Sequence, residues 1–414
     1  MFVLGVLALL TSVRAYDLVR DYSGSSFFDR WDFYGYWDNL VRRDVWWLNR
    51  NDAFSQGLTY INNAGNAVLK VDNEHDVAWN YKRNSVRITS QDTYAVGSLW
   101  ITDVVHVPYA HLHTVWGAIW TKGPTWPDNG EIDIFETINR MPINQYALHT
   151  TEGCMKDTPD NQVGTTVVED CSQAAGCTVT ENYENSAYTG FAEAGGGVWA
   201  TQFDVSGIWF WSRPHVPASI TQSTSTSGVD LSDWGPPSAA FPSTTCNITE
   251  YFTPQNLVID ITLCGNWAGL PETYAETCSG GTTGLCYNDN VIGSGANYND
   301  AYFEIKNIRA YTTGGVAPTP TANYQGTIPT ITGTSALQSS TSTVGTALIP
   351  TPWYYPGAAV KREPTPTATG TRLTSLTTYF AFYDLDTTVD DPMQDVVDLT
   401  YAVWIRLTDV DKQC

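Results

Sequence analysis

The sequence predicts an all-β protein, a jelly-roll β-sandwich of two antiparallel sheets with a concave groove, followed by a disordered linker and a short tail. Three observations carry that expectation. Runs of β-branched and aromatic residues recur between Gly, Pro, Asn and Asp turn residues as far as Tyr311. No stretch before residue 312 repeats apolar residues at i, i+3, i+4 and i+7 over the length of a helix. Aromatic residues make up 13% of the chain, with 16 Trp and 23 Tyr, against only 15% charged residues. That balance suits pleated, half-buried surfaces. The strand segments, in order, are Ala67–Val71, Ser85–Thr89, Gly97–Val107, Val115–Trp120, Gln145–Thr150, Trp199–Asp204, Ile208–Ser212, Leu257–Leu263 and Tyr302–Tyr311. Val205-Ser206-Gly207 joins two of them as a hairpin, and alternate rings among Trp199, Trp209 and Trp211 are expected to fill the core.

Composition sets the domain limits. Residues 1–15 read as a signal peptide: the apolar run Met1–Val13 falls short of the roughly 20 residues that span a bilayer, and Val13-Arg14-Ala15 offers a cleavage site. No Lys or Arg precedes that run. Residues 16–312 form the β-sandwich domain. Residues 313–372 are rich in Ser, Thr and Pro and cannot bury enough apolar surface to order themselves, so they read as a linker. Residues 373–414 regain aromatics and acids as a tail of unknown role, and about 40 residues is marginal for an independent domain.

With 43 Asp and Glu against 21 Lys and Arg, the formal charge is −22. A nucleic-acid partner is thereby disfavoured, because phosphate binding requires a basic surface, and so is an anionic membrane face. An exported monomer, secreted or held in a cell wall, acting on a neutral partner is expected. The seven cysteines before residue 300 (Cys154, Cys171, Cys177, Cys246, Cys264, Cys278 and Cys286) contain no C-x-x-C pair. They are candidates for disulfides rather than for zinc. Their odd number leaves one unpaired or joined to Cys414. Asn247-Ile248-Thr249 is a glycosylation sequon.

The segment G-A-I-W-T-K-G-P-T-W-P-D-N-G-E-I-D-I-F-E holds Glu131, Asp133 and Glu136 within six residues. On a regular strand Glu131 and Asp133 share a face while Ile132 and Ile134 turn inward, and Glu136 falls on the wrong parity. One extra residue at Ile134–Phe135, a β-bulge, would return Glu136 to the face of the other two. Paired carboxylates about 5–5.5 Å apart are what retaining glycoside cleavage uses: one ionised group attacks, and the other donates a proton and later activates water. Crowding of like charges would raise one pKa. The chemistry alone does not say which Glu takes which role.

This pattern resembles glycoside hydrolase family 16, in particular the fungal secreted endo-1,3(4)-β-glucanases, or laminarinases, that carry E-x-D-x-x-E. The resemblance spans roughly Gly57–Tyr311, including V-I-D-I-T-L-C-G-N-W-A-G and F-E-I-K-N-I-R-A-Y. It implies a cofactor-free glucanase with Glu131 as nucleophile, Asp133 as its helper and Glu136 as acid/base. Two departures stand out. Ala110-His111-Leu112-His113 replaces a loop that often carries a Cys, and Trp116-Gly117-Ala118-Ile119-Trp120 lacks the usual Pro, so added freedom at Gly117 is expected.

Trp116, Trp120, Trp126 and Trp267 are candidate platforms for the flat faces of a sugar, because aromatic rings with a few polar groups suit such ligands. His149 is a candidate to bond a carboxylate or sugar. Arg87 could contact substrate or sit in an ion pair. His106, His111 and His113 are close in sequence but lack a nearby ligand cluster, so no metal, calcium included, is expected. The rival functions are a cell-wall glucan transglycosylase and a non-catalytic glucan-binding jelly roll.

Overall fold

The alternating segments pair into two large antiparallel sheets. The structure is a computed structural model describing residues 16–320, apart from 39–43, 111–113, 214–215, 217–228, 279–280 and the side chain of Cys278. The expected leader, residues 321–372 of the expected linker, the tail, His111, His113 and Cys414 lie outside the described residues.

The back sheet has eight strands, in the order Ala239–Pro242, Gly207–Ser212, Gly197–Asp204, Ser98–His106, Tyr302–Thr313, Ala67–Lys70 and Thr59–Ile61, with Tyr16–Ser23 also paired to Tyr302–Thr313. The front sheet has nine, in the order Thr165–Val168, Cys177–Thr180, Gln145–His149, Glu131–Ile138, Trp116–Lys122, Gln255–Thr262, Arg87–Tyr94 and Thr319–Pro320, with Trp31–Phe33 also against Arg87–Tyr94. Sequence neighbours are often not sheet neighbours, as a jelly roll requires. Helices are few and short; Pro271–Cys278, at 8 residues, is among the longest of those described. The expected Ser85–Thr89 strand is divided at Val86: Arg83–Ser85 joins a small parallel pair with Val45–Trp47, and Arg87 starts the front-sheet strand. Thr319 and Pro320 pair with Thr93 and Asp92, so the sheet continues past residue 312.

The core lies between the sheets. Ile119, Ile132, Ile134, Phe135, Leu148 and Ile259 from the front meet Trp100, Trp199, Phe203, Phe303 and Ile305 from the back. Phe135 lies 5.1 Å from Trp199 and 5.8 Å from Phe303, ring to ring. Each such side chain contributes about 1.5–3 kcal/mol through burial. The hairpin at Val205-Ser206-Gly207 is present, closed by Asp204 opposite Gly207. Its three Trp residues do not share one core, however. Ala200 pairs with Trp211, so Trp211 faces away from Trp199 and packs in a second cluster with Leu99, Ile101 and Trp234, and Trp209 flanks that cluster.

Disulfides join Cys154 to Cys246, Cys171 to Cys177 and Cys264 to Cys286. The first closes a separation of 92 residues, the kind of long loop whose closure most restricts the unfolded chain. Asn247 is exposed at the start of a short helix.

Gly117 does not supply the freedom expected of it. It sits within a regular strand, and a Cβ there would come 2.3 Å from Pro108 Cγ. Close packing by Pro108 therefore excludes any side chain. Gly117→Ala should destabilise the fold by about 1–3 kcal/mol through overpacking, read as a lower midpoint of urea unfolding with an unchanged slope.

Candidate active site

Glu131–Ile138 runs through the middle of the front sheet, between Trp116–Lys122 and Gln145–His149. Against the first neighbour, Asp133 pairs with Trp120 and the next pair is Phe135 with Ile119, so Ile134 is the extra residue. Against the second, the pairing moves from Asp133–Ala147 to Glu136–Gln145, again with one residue too many on the carboxylate strand. Paired residues share a face. Since Trp120 and Ala118 lie two apart, Asp133 and Glu136 opposite them face the same way, as does Glu131 opposite Lys122. Ile134 and Phe135 are both buried in the core. Gly130, with φ +75° and Phe252 Cδ1 at 2.2 Å from a notional Cβ, immediately precedes the strand at a position where no other residue fits.

The three carboxylates differ in surroundings. Asp133 is 2% exposed. Burial, then the nearby charges of Glu131 and Glu136, push its pKa well above the usual carboxylate range, which favours the protonated form, the one able to donate a hydrogen bond to Glu131. His149 Nε2 stands 3.5 Å from Asp133 Oδ2, and burial lowers the pKa of the imidazole, which favours its neutral form. Glu136 accepts a hydrogen bond of 2.9 Å from Trp116 Nε1. Lys122 lies opposite Glu131, and its pKa is pushed down to about 8, mainly by burial and further by Arg87, with Glu131 opposing.

The expected sugar-binding residues take different places. Trp116 is 7% exposed, edge-on to the half-buried Trp267 at 5.3 Å. It is a hydrogen-bond donor packed beside Glu136, not an open platform. Trp120 is half-buried, with the Arg87 guanidinium 4.9 Å from its ring. Arg87 itself is 3% exposed and paired to Asp260 at 3.0 Å, over Trp47 and Tyr34 as well. Of its two readings, the ion pair is the one observed; burial leaves it no open face for a ligand. Trp126, joined to Pro127 by a cis bond, is 59% exposed with its ring 6.4 Å from that of His149. Of the four candidate rings it is the exposed one. His106 bonds the Tyr302 carbonyl through Nδ1 at 2.8 Å and stacks on the Tyr302 ring, a structural role.

Sequence reasoning missed Lys122 and Asp260. Lys122 sits two residues beyond Trp120 on the same side of its strand, a spacing that marks it as facing Glu131. Asp260 carries no such local mark, because its partner Arg87 is distant in the chain. One ligand atom from each of Glu131, Asp133 and His149 lies within 4.8 Å of the others, a spacing that could hold a metal ion.

Comparison with known proteins agrees with this geometry. Residues 31–311 match the family model for the XgeA-like catalytic domain of glycoside hydrolase family 16. A probable glycosidase of Schizosaccharomyces pombe is 36% identical over 308 residues, covering 72% of this chain and 70% of that protein. The endo-1,3(4)-β-glucanase xgeA of Emericella nidulans is 32% identical over 311 residues, covering 73% of this chain and 48% of that protein. The chain thus spans about half the length of the Emericella relative. Laminarinase 16A of Phanerochaete chrysosporium, solved with β-glucans in its donor and acceptor sites, superposes with a TM-score of 0.66 at 28% identity, covering 72% of this chain and 100% of that one. An elongating family 16 β-1,3-glucosyltransferase superposes equally well, with a TM-score of 0.66 at 35% identity and the same coverage. With its two-sheet fold and its bulged carboxylate strand, the chain belongs to glycoside hydrolase family 16, among the XgeA-like catalytic domains.

Proposed function

We propose that this protein is a secreted, endo-acting β-glucan hydrolase that cleaves β-1,3 glucosidic bonds with retention, with mixed 1,3/1,4 glucan as a further candidate substrate. The observation that carries the reading is the single-residue bulge at Ile134, which turns Glu131, Asp133 and Glu136 to one face of the front sheet. In the first step the ionised Glu131 attacks the anomeric carbon while Glu136 gives its proton to the departing sugar oxygen. In the second, Glu136 takes a proton from water, whose oxygen displaces Glu131 from the sugar. Protonated Asp133 donates to Glu131 and stabilises its carboxylate form whenever Glu131 is free. Trp116 Nε1 holds the carboxylate end of Glu136. Trp126 offers the exposed ring that stacks on a sugar face. No cofactor is called for by this chemistry.

The names of the relatives support the glucan substrate, and the neutral sugar suits a chain with a formal charge of −22. The apolar leader, the disulfides and the exposed sequon Asn247 support export and glycosylation. The neighbour described as an elongating glucosyltransferase favours a second reading, in which a sugar hydroxyl replaces water in the second step. Adding laminari-oligosaccharide acceptors and sizing the products distinguishes the two: chains longer than the donor establish transfer, and their absence supports hydrolysis.

Glu131→Gln and Glu136→Gln should each cut the release of reducing ends from laminarin by about 100- to 10,000-fold, with near-ultraviolet circular dichroism unchanged. Wild-type rates in both variants would overturn the reading.

Lys122 carries its charge below about pH 8 and loses it above. While charged, it favours the ionised form of the facing Glu131. Lys122→Met should therefore move the acidic limb of kcat/KM toward higher pH, and Lys122→Arg should leave that limb near its original position. A pH–rate profile of the three proteins provides the check.

A further inference from the structure

The bulge creates a mechanical problem. An extra residue in one strand disrupts the ladder locally and bends the strand, so fewer ladder bonds fix the backbone there. Glu136 is the first residue beyond that gap on the Gln145–His149 side, where pairing resumes with Gln145. A carboxyl group that must protonate one particular oxygen cannot tolerate a backbone that shifts.

Asn144 occupies this gap. It precedes Gln145 in the chain and is 0% exposed. Its side-chain Oδ1 accepts the Glu136 N–H at 3.0 Å, and its Nδ2 donates to the Ile134 carbonyl at 2.9 Å. One planar amide thus bonds both sides of the bulge, one as acceptor and one as donor. Asparagine supplies both functions from one short side chain, whereas aspartate lacks the donor and serine has a single oxygen. The backbone that carries this amide is itself held: the Asn144 main-chain N–H donates to Ser186 Oγ at 2.9 Å, and its main-chain carbonyl accepts the Glu181 N–H at 2.9 Å. Glu136 is fixed at two ends, its backbone by Asn144 and its carboxylate by Trp116.

We propose that Asn144 is a positioning residue for this reaction, clamping the Ile134 bulge so that the Glu136 carboxyl is held at the glycosidic oxygen. The proposal rests on Glu136 being the acid/base. It acts through Glu136 and touches no substrate itself.

The test compares Asn144→Ala, Asn144→Ser and Glu136→Ala on laminarin and on a dinitrophenyl β-laminari-oligosaccharide, with and without azide. A dinitrophenolate leaves without a proton, so loss of acid help spares bond cleavage with this substrate and slows only breakdown of the glycosyl-enzyme. Azide attacks that intermediate at the anomeric carbon, displaces Glu131 and needs no base. A displaced Glu136 therefore has a signature: the laminarin rate falls on the order of 100-fold, with KM within a few-fold. The rate of aryl release falls less and recovers with azide, giving a β-glycosyl azide. Asn144→Ala should show this signature in weaker form than Glu136→Ala, and Asn144→Ser, which retains one hydroxyl, should lie between Asn144→Ala and wild type. Equal losses on both substrates without azide recovery would mean a merely structural role and overturn the proposal, as would wild-type rates in a folded Asn144→Ser. If Glu136→Ala itself shows no azide recovery, the acid/base assignment fails first, and that failure is separable from failure of the clamp.

Discussion

Side chains on a strand alternate, and this site depends on breaking that alternation at one residue. Glu131 and Asp133 share a face without help, while Glu136 joins them only because Ile134 is inserted without a counterpart on the neighbouring strands. The insertion sends two successive residues, Ile134 and Phe135, into the core together. The back sheet accommodates them: Trp199 and Phe303 lie against Phe135 at ring distances that leave it buried. Core packing and site geometry are therefore one constraint, since a core that could not accept both side chains would straighten the strand and turn Glu136 away.

The same face concentrates ionisable groups in a poorly solvated place. At Asp133 burial first, and its two acidic neighbours second, push the pKa up and favour the neutral form. Arg87 and Asp260 instead pair at 3.0 Å while both remain almost wholly buried. Such a pair gains little net stability over apolar residues, but loss of either partner would leave an isolated buried charge. It also holds a cation beneath Trp120 and near Lys122, whose ammonium is weakened mainly by its own burial. The overall negative charge of the chain is thus not a guide to the site, where cations and acids are interleaved.

The aromatic residues divide by the same logic. Trp116 spends its N–H on Glu136 and is covered, Trp120 has a guanidinium against its ring, and Trp126 remains open. Trp199 fills the core between the sheets, whereas Trp211 lies on the other side of the same hairpin under a separate cluster. One residue type serves as hydrogen-bond donor, cation support, exposed ring and core filler according to where the fold places it.

Much of this was legible locally. Parity within E-I-D-I-F-E called for a bulge, and its place at Ile134–Phe135 is where the ladder shifts. The strand segments were legible because each is a short run bounded by turn residues. Contacts between distant segments were not legible. Nothing in the sequence around Gly117 announces Pro108, and the expected flexibility there is a packing requirement instead. Nor could spacing pair Arg87 with Asp260 or choose between the two readings of that arginine. By itself the sequence determined the β class, the carboxylate strand and its register break, because those follow from period-two alternation within a few residues. Only the tertiary structure decided which groups are buried, which tryptophan stays open and which carboxyl is the most deeply covered, because burial is set by neighbours far away in the chain.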